Sequence, residues 1–361
     1  MHLYDELMLF KIGEFGMVKV RASKISDVAA AAGVDVSTVS RALNKDLAHR
    51  ISSVTRERVI AVATELGYRP NPIGRGLRTS RTYSLGISIP QLENPVFSQI
   101  VEGADAAARK RGYSLLISHV QNMASDPSIY ERLELMNRVD GLIVSTIEDD
   151  RYLRAALSPI SIPFVLVNRR IRGISNSIVF DGKATALLAT ERLISAGHRR
   201  IGFLAGRLTG YNGRARLDGY RSALHSIGVV PDESWIVAAG YTAEGGERGM
   251  NQLLDGGNST PTAIVAATLL SAAGALRALH LRKVSVPGNM SIVSIQDAAI
   301  GELFYPQLTT VKLPLFEMGA VAADGLINLI ENPQSKVSVI LPPTCLVERE
   351  SVADIAHIVN N

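Results

Sequence analysis

The side chains best placed to do chemistry lie close together near the N-terminus, between Lys24 and Asn44, in the run KISDVAAAAGVDVSTVSRALN. Val36, Ser37 and Arg41 recur at helical spacing with Thr38 and Ser40 between them, and Asn44 follows at the end. Hydroxyls, an amide and a guanidinium on one helix face can hydrogen-bond base edges in a major groove, and a small apolar side chain can meet a thymine methyl. Ser26, Val36, Ser37, Thr38, Ser40, Arg41 and Asn44 are therefore candidate DNA contacts, with Val36, Ser37 and Arg41 reading the bases. The elements that must position them are two short helices. Ser26 is expected to cap the first, Gly33 to supply a tight turn, and Asp35 to cap the second. Val28, Ala29, Val39 and Leu43 would pack the pair together. Two helices of a generic bundle would share this periodicity, but the turn, the caps and the basic face coincide here.

Charge points the same way. From Lys24 to Thr82 ten bases face five acids, so this segment carries more positive charge than the whole chain, whose net charge is +4. A basic module on a near-neutral body suits binding to phosphates. Catalytic constellations do not emerge. The chain has no GxxxxGK[ST] loop and no HExxH, and no two of its seven histidines lie within five residues of each other. Its single cysteine, Cys345, rules out a disulfide framework within the chain and is expected to be a buried core thiol rather than a nucleophile. No enzyme activity, cofactor or metal is expected. The opening residues carry acids at Asp5, Glu6 and Glu14 and do not resemble a secretion signal, and no run of about 18 apolar residues suggests a membrane span.

At 361 residues the chain suggests a small module and a large one. Beyond Tyr83 short apolar runs such as Leu85–Ile89, Leu142–Val144, Phe164–Val167, Ile201–Leu204 and Ile264–Val265 alternate with amphipathic segments closed by Gly112, Gly197 or Gly228. Alternating strands and helices imply parallel sheets covered on both faces. About eleven strands are too many for one compact sheet, so two α/β lobes are expected, with a ligand held off the carboxyl ends of the strands in the cleft between them. His198, just after Gly197, is expected to cap or pack locally.

The N-terminal motif, followed by Tyr68-Arg69-Pro70-Asn71 and Leu77, resembles the lac repressor and galactose repressor (LacI/GalR) family of transcriptional regulators. Asn94-Pro95-Val96-Phe97, Gly197-His198-Arg199-Arg200-Ile201 and Leu308-Thr309-Thr310-Val311 agree with it, so the likeness runs from about Lys24 to Ser351. Residues 1–16 fall outside it, and Met17 would make a more usual start. The resemblance implies an N-terminal all-α helix-turn-helix headpiece and an α/β two-lobed, periplasmic-binding-protein-like (type I) effector domain. It divides the chain into an extension (1–23), the headpiece (24–70, with Ile51 to Gly67 as its third helix), a hinge (71–82) and the effector domain (83–361). Within the last, one lobe would comprise about 83–182 and 313–334, the other about 183–311 and 335–350. Leu77 sits where the family inserts a leucine into the minor groove. Gly74, where alanine is usual, and Gly76 should weaken the hinge helix.

Carried over residue by residue, the resemblance places Asn94, Phe97, Asn168, Arg216, Tyr241, Thr268 and Gln296 in the cleft. Arg216 would grip vicinal hydroxyls or a carboxylate, and Tyr241 would stack on a sugar ring. Thr268-Leu269 stands where relatives that bind neutral sugars usually keep Asn-Asp, and Gln296 stands where they keep aspartate. The resemblance implies a cytoplasmic, nucleoid-associated regulator that acts as a repressor. Such a regulator would bind a pseudo-palindromic double-stranded operator as a homodimer, under control of a small-molecule effector that is a sugar, sugar acid or sugar phosphate. The roughly ten residues after the last strand are too few for a heptad bundle, so dimer rather than tetramer is expected. A periplasmic sugar-binding protein shares the two lobes but would need a secretion signal and would lack the DNA reader.

Overall fold

The computed structural model describes residues 23–43, 50–68, 81–120, 126, 128–135, 138–147, 149–256 and 260–355. The chain falls into two compact units, Met1–Arg81 and Thr82–Asn361. Residues 1–16, Asn44, Gly74, Gly76 and Leu77, together with most of the expected hinge, lie outside the described residues.

In the first unit three helices, α1 (Ile25–Ala32), α2 (Val36–Ala42) and α3 (Ser53–Glu65), close on a small core of Val28, Ala29, Val39, Ala42, Val59 and Ala63. Gly33 ends α1 at φ +64°, a left-handed conformation that glycine adopts without a Cβ penalty, and the chain turns there into α2. Asp35 caps α2 by accepting the Ser37 N–H at 2.7 Å, and the Ser37 hydroxyl, followed by this N–H, holds its carboxyl below the usual range. Ser26 does not cap α1. The helix begins two residues earlier, with Lys24 at the cap position, and Asp27 reaches back to accept the Lys24 N–H at 2.8 Å. Ser52 caps α3 through the Thr55 N–H.

The second unit holds two six-stranded sheets. The first contains β1 (Ser84–Ile89), β2 (Ser114–His119), β3 (Gly141–Val144), β4 (Phe164–Val167), β5 (Ser177–Phe180) and β11 (Ser338–Leu341), in the order β11-β5-β4-β3-β1-β2. The second contains β6 (Ile201–Ala205), β7 (Ile236–Ala238), β8 (Ala263–Ala266), β9 (Ser291–Ile295), β10 (Thr309–Lys312) and β12 (Cys345–Val347), in the order β12-β10-β9-β8-β6-β7. All pairings are parallel except β10 with β12. Both faces of the central strands are covered, so β3, β6, β8 and β9 are buried at every position; β3, β6 and β8 read as unbroken apolar runs, while β9 carries the buried Ser291 and Ser294.

Between the strands lie α4 (Pro95–Lys110), α5 (Ile129–Leu135), α6 (Asp150–Leu157), α7 (Gly182–Ser195), α8 (Tyr211–Ser226), α9 (Ala243–Leu254), α10 (Leu269–Leu281) and α11 (Leu315–Glu331). α4 and α11 cross on the first sheet with their backbones nearly touching. A Cβ on Gly103 would stand 1.9 Å from the Phe316 carbonyl oxygen, and one on Gly319 would stand 1.9 Å from that of Ile100. Only glycine fits at either position.

Three further sequence expectations need correction. Residues 338–341 do not belong to the second lobe, because β11 adds to the free edge of β5, pairing Ser338 with Ser177 through Leu341 with Phe180. Cys345 is exposed, since it opens the short edge strand β12. His198 does not act locally. Fully buried, its Nδ1 lies 2.9 Å from Thr262 Oγ1, while its Nε2 reaches Ser291 Oγ at 3.0 Å and the Ala353 carbonyl oxygen at 3.2 Å, and burial pushes its pKa down.

Candidate functional site

Two polar surfaces carry the functional candidates. On the headpiece unit, α2 buries Val39 and Ala42 and turns Val36, Ser37 and Arg41 outward. Positions 36, 37, 40 and 41 repeat one helical turn apart, so they share a face opposite the core. Val36 is 42 % exposed although apolar, a position the headpiece core does not explain. Thr38 and Ser40 are half-buried beside them, and Ser26 is exposed on α1.

In the second unit a cavity of about 240 Å³ is lined by all seven residues expected in the cleft: Asn94, Phe97, Asn168, Arg216, Tyr241, Thr268 and Gln296. The sheets explain why. Asn168 and Gln296 are the residues immediately past the carboxyl ends of β4 and β9, and both have left-handed backbones at φ +56° and +81°. Non-glycine residues held in that region cluster at ligand sites. Asn94 caps α4, accepting the Val96 N–H at 3.1 Å, and its amide nitrogen donates to Gln91 Oε1 at 3.2 Å. Thr268 caps α10 by accepting the Ser271 N–H at 3.1 Å. Both are thus partly engaged in building the walls. Tyr241 lies so close over Gly206 that a Cβ there would meet its ring at 2.2 Å.

Arg216 differs from the rest. It is 2 % exposed, and it makes no ion pair with an acid among the described residues. Its guanidinium carbon stands 5.1 Å from the centre of the Phe180 ring, and its buried Nε has no hydrogen-bond partner. Burial lowers its pKa to about 10, with Tyr241 opposing the shift.

The cavity also has walls that sequence reasoning missed. Ser145 and Thr146 follow β3 just as Asn168 follows β4, and the strand-end rule would have found them. Asn212 lies one turn before Arg216 on α8, so helical spacing alone pointed to it. Its Nδ2 donates to the backbone oxygen and Oδ1 of Asn168 at 2.7 and 2.9 Å. Arg207 pairs with Asp149 at 2.9 Å, and Arg169 with Asp150 at 2.5 Å. Arg170 instead donates to Ser338 Oγ, away from the cavity lining.

Comparison with known proteins decides the family. Residues 24–71 match the pattern of bacterial regulatory proteins of the lacI family, and residues 190–352 match the periplasmic binding protein-like domain. The ribose operon repressor of Haemophilus influenzae is 30 % identical over 330 residues, spanning 91 % of this chain and 98 % of that protein. The chain belongs to the LacI family. The transcriptional repressor PurR of Proteus mirabilis is 32 % identical over 333 residues, covering 91 % of this chain and 97 % of its own. Among solved structures, the lac repressor dimer bound to operator and an anti-inducer superposes with a TM-score of 0.76 at 28 % identity, over 92 % of this chain and all of the other. The complex of the regulator CelR with cellobiose gives 0.68 at 30 % identity, over 91 % and 99 %. This LacI-family chain is accordingly a DNA-binding transcriptional regulator under effector control rather than an enzyme, and it works in the cytoplasm. No helix among the described residues is long and apolar enough to cross a membrane.

Proposed function

We propose that this LacI-family protein represses transcription at the nucleoid by binding a pseudo-palindromic operator as a homodimer, and that a small ligand of monosaccharide scale in the 240 Å³ cavity controls that binding. The observation that carries it is the pairing, in one chain, of an outward-facing recognition helix with a cavity built around a buried arginine. Val36, Ser37 and Arg41 read base edges in each half-site. Ser26, Thr38, Ser40 and Asn44 add contacts, and Leu77 wedges into the minor groove at the operator centre. Asn94, Phe97, Asn168, Arg216, Tyr241, Thr268 and Gln296 hold the effector. The domain division follows the same reading: headpiece 24–70, hinge 71–82 and effector domain from 83, with 338–341 reassigned to the first lobe.

Dimerisation is supported by large apolar side chains left exposed on the second unit. Leu116 and Ile117 stand on the edge strand β2, and Leu303 and Tyr305 are 82 % and 96 % exposed after β9. Ligand control then operates as a coupling free energy between two sites, typically 1 to 3 kcal/mol.

The test is operator selection from random duplex DNA with the full chain, followed by gel-shift titration. A palindromic consensus bound by two copies is expected, with affinity that changes when a cavity ligand is added. Binding as a monomer without sequence preference would refute the reading.

A further inference from the structure

We propose, resting on the reading of the cavity as the effector site, that the effector is a small hydroxylated oxyanion, a sugar acid or sugar phosphate of monosaccharide size. Its anionic group sits on Arg216, and a neighbouring hydroxyl donates to Asn212.

Charge balance within the cavity is the first support. Three guanidiniums line it, those of Arg169, Arg207 and Arg216, together with two carboxylates among the described residues, those of Asp149 and Asp150. Asp149 is taken by Arg207 and Asp150 by Arg169. Arg216, the most deeply buried of the three, is left with only the face of Phe180 and an unpartnered Nε. A buried charge without a counter-charge is costly, and hydrogen bonds to a neutral hydroxyl would leave that charge uncompensated. A carboxylate or phosphate supplies both the acceptors and the opposite charge.

Asn212 adds a second requirement. Because the backbone oxygen of Asn168 can only accept, the nitrogen of the Asn212 amide must face it, which fixes Oδ1 as the atom directed elsewhere. That Oδ1 is buried and has no partner. One helical turn from Arg216, it calls for a donor beside the anionic group, which a hydroxylated skeleton carries on a separate carbon and a fully ionised inorganic anion lacks. The start of α8 reinforces the preference. Gly210 stands at its cap position with no side chain to satisfy the first-turn N–H groups, and Gly210, Tyr211 and Asn212 all line the cavity. Helix N-termini favour negative charge. The cavity volume falls below the usual range of drug-sized pockets, about 300 to 1,000 Å³, which favours a single sugar unit over a nucleoside or disaccharide.

The experiment uses the full chain at constant ionic strength, with melting temperature and calorimetry as readouts. Probes are D-glucose, D-gluconate and D-glucose 6-phosphate, D-ribose and D-ribose 5-phosphate, and inorganic phosphate against a chloride control. At least one hydroxylated anion should bind tenfold or more tightly than its neutral parent, and the gluconate and phosphate arms show which oxyanion is preferred. Inorganic phosphate should give a smaller shift that also disappears in Arg216→Met. Gln296→Asp, which adds a carboxylate to the wall, should weaken the anions more than their neutral parents. In ligand-free protein Arg216→Met should raise the melting temperature, because it removes an uncompensated charge.

The proposal is overturned if neutral sugars bind as well as the anions, if no anion including inorganic phosphate shows an Arg216-dependent shift, or if Arg216→Met lowers the ligand-free melting temperature while Gln296→Asp leaves every probe unaffected. Failure of the effector reading itself looks different: an anion would bind through Arg216 yet leave operator affinity unchanged.

Discussion

Arg41 and Arg216 are both arginines on helices at functional surfaces, yet their surroundings oppose each other. Arg41 lies exposed on α2 of the headpiece unit, where water and salt screen it. Arg216 is buried in the cavity of the second unit, stacked on Phe180 and without an acidic partner among the described residues. An exposed cation can meet many anions along a phosphate backbone and gains specificity only through base-edge geometry. A desolvated cation is unsatisfied until one particular ligand arrives. The same residue type therefore serves as a reader in one place and as a demand for a ligand in the other.

The largest expected effect tests the buried side of that contrast. Arg216→Ala should weaken effector binding by about 2 to 5 kcal/mol, the range for truncating one partner of a buried hydrogen-bonded charge pair. Calorimetry with the effector found by screening checks it, and a loss below tenfold would place Arg216 outside the binding contacts. Arg41→Ala tests the exposed side. It should cost about 1 to 3 kcal/mol per half-site and relax base preference at the position it reads. Selection of operators by the variant would show the relaxed position, and an unchanged consensus with unchanged affinity would remove Arg41 from the reader.

The two regions also differed in how far the amino-acid sequence disclosed them. The headpiece was legible because its determinants are local: Gly33 turns the chain, Asp35 caps α2, and the burial of Val28 and Val39 follows from helical spacing. Only the first cap was misplaced, since Asp27 reaches back to Lys24 and lengthens α1 past Ser26. The cavity was legible only where the family resemblance reached it, as at Asn168 and Gln296; Ser145 and Thr146, which follow β3 just as Asn168 follows β4, were missed. Its ion pairs were not legible, because Arg207 with Asp149 and Arg169 with Asp150 join residues 58 and 19 positions apart, and no local pattern records such a meeting. The same holds for β11, whose partner β5 lies far back in the chain, and for His198, whose contacts with Ser291 and Ala353 are made only on folding.

Asp35→Ala separates scaffold from reader within the headpiece. Loss of the hydrogen bond from the Ser37 N–H should destabilise the start of α2 by about 1 kcal/mol. Ser37 and Arg41 remain in place, so operator affinity should fall with little change in the preferred bases. A changed consensus would mean that Asp35 itself reads DNA.

The smallest effect concerns His198 and extends the contrast between buried and exposed ionisable groups to a base that folding keeps neutral. Burial lowers its pKa in the folded protein below the ordinary value of 6.5, and its Nε2–H donates to the Ala353 carbonyl. Above pH 6.5 the imidazole is neutral in both folded and unfolded chains and contributes no pH dependence. As the pH falls below 6.5 the unfolded chain binds the proton first, so stability declines until the folded-state pKa is reached. His198→Asn removes that titration while keeping a polar side chain between Thr262 and Ser291. Chemical denaturation of wild type and variant at pH 7.5, 6.5 and 5.5 is expected to show a shallower loss of stability for the variant between the two lower values. Parallel curves would show that the acid sensitivity of the fold comes from other groups, and that His198 serves only through its hydrogen bonds.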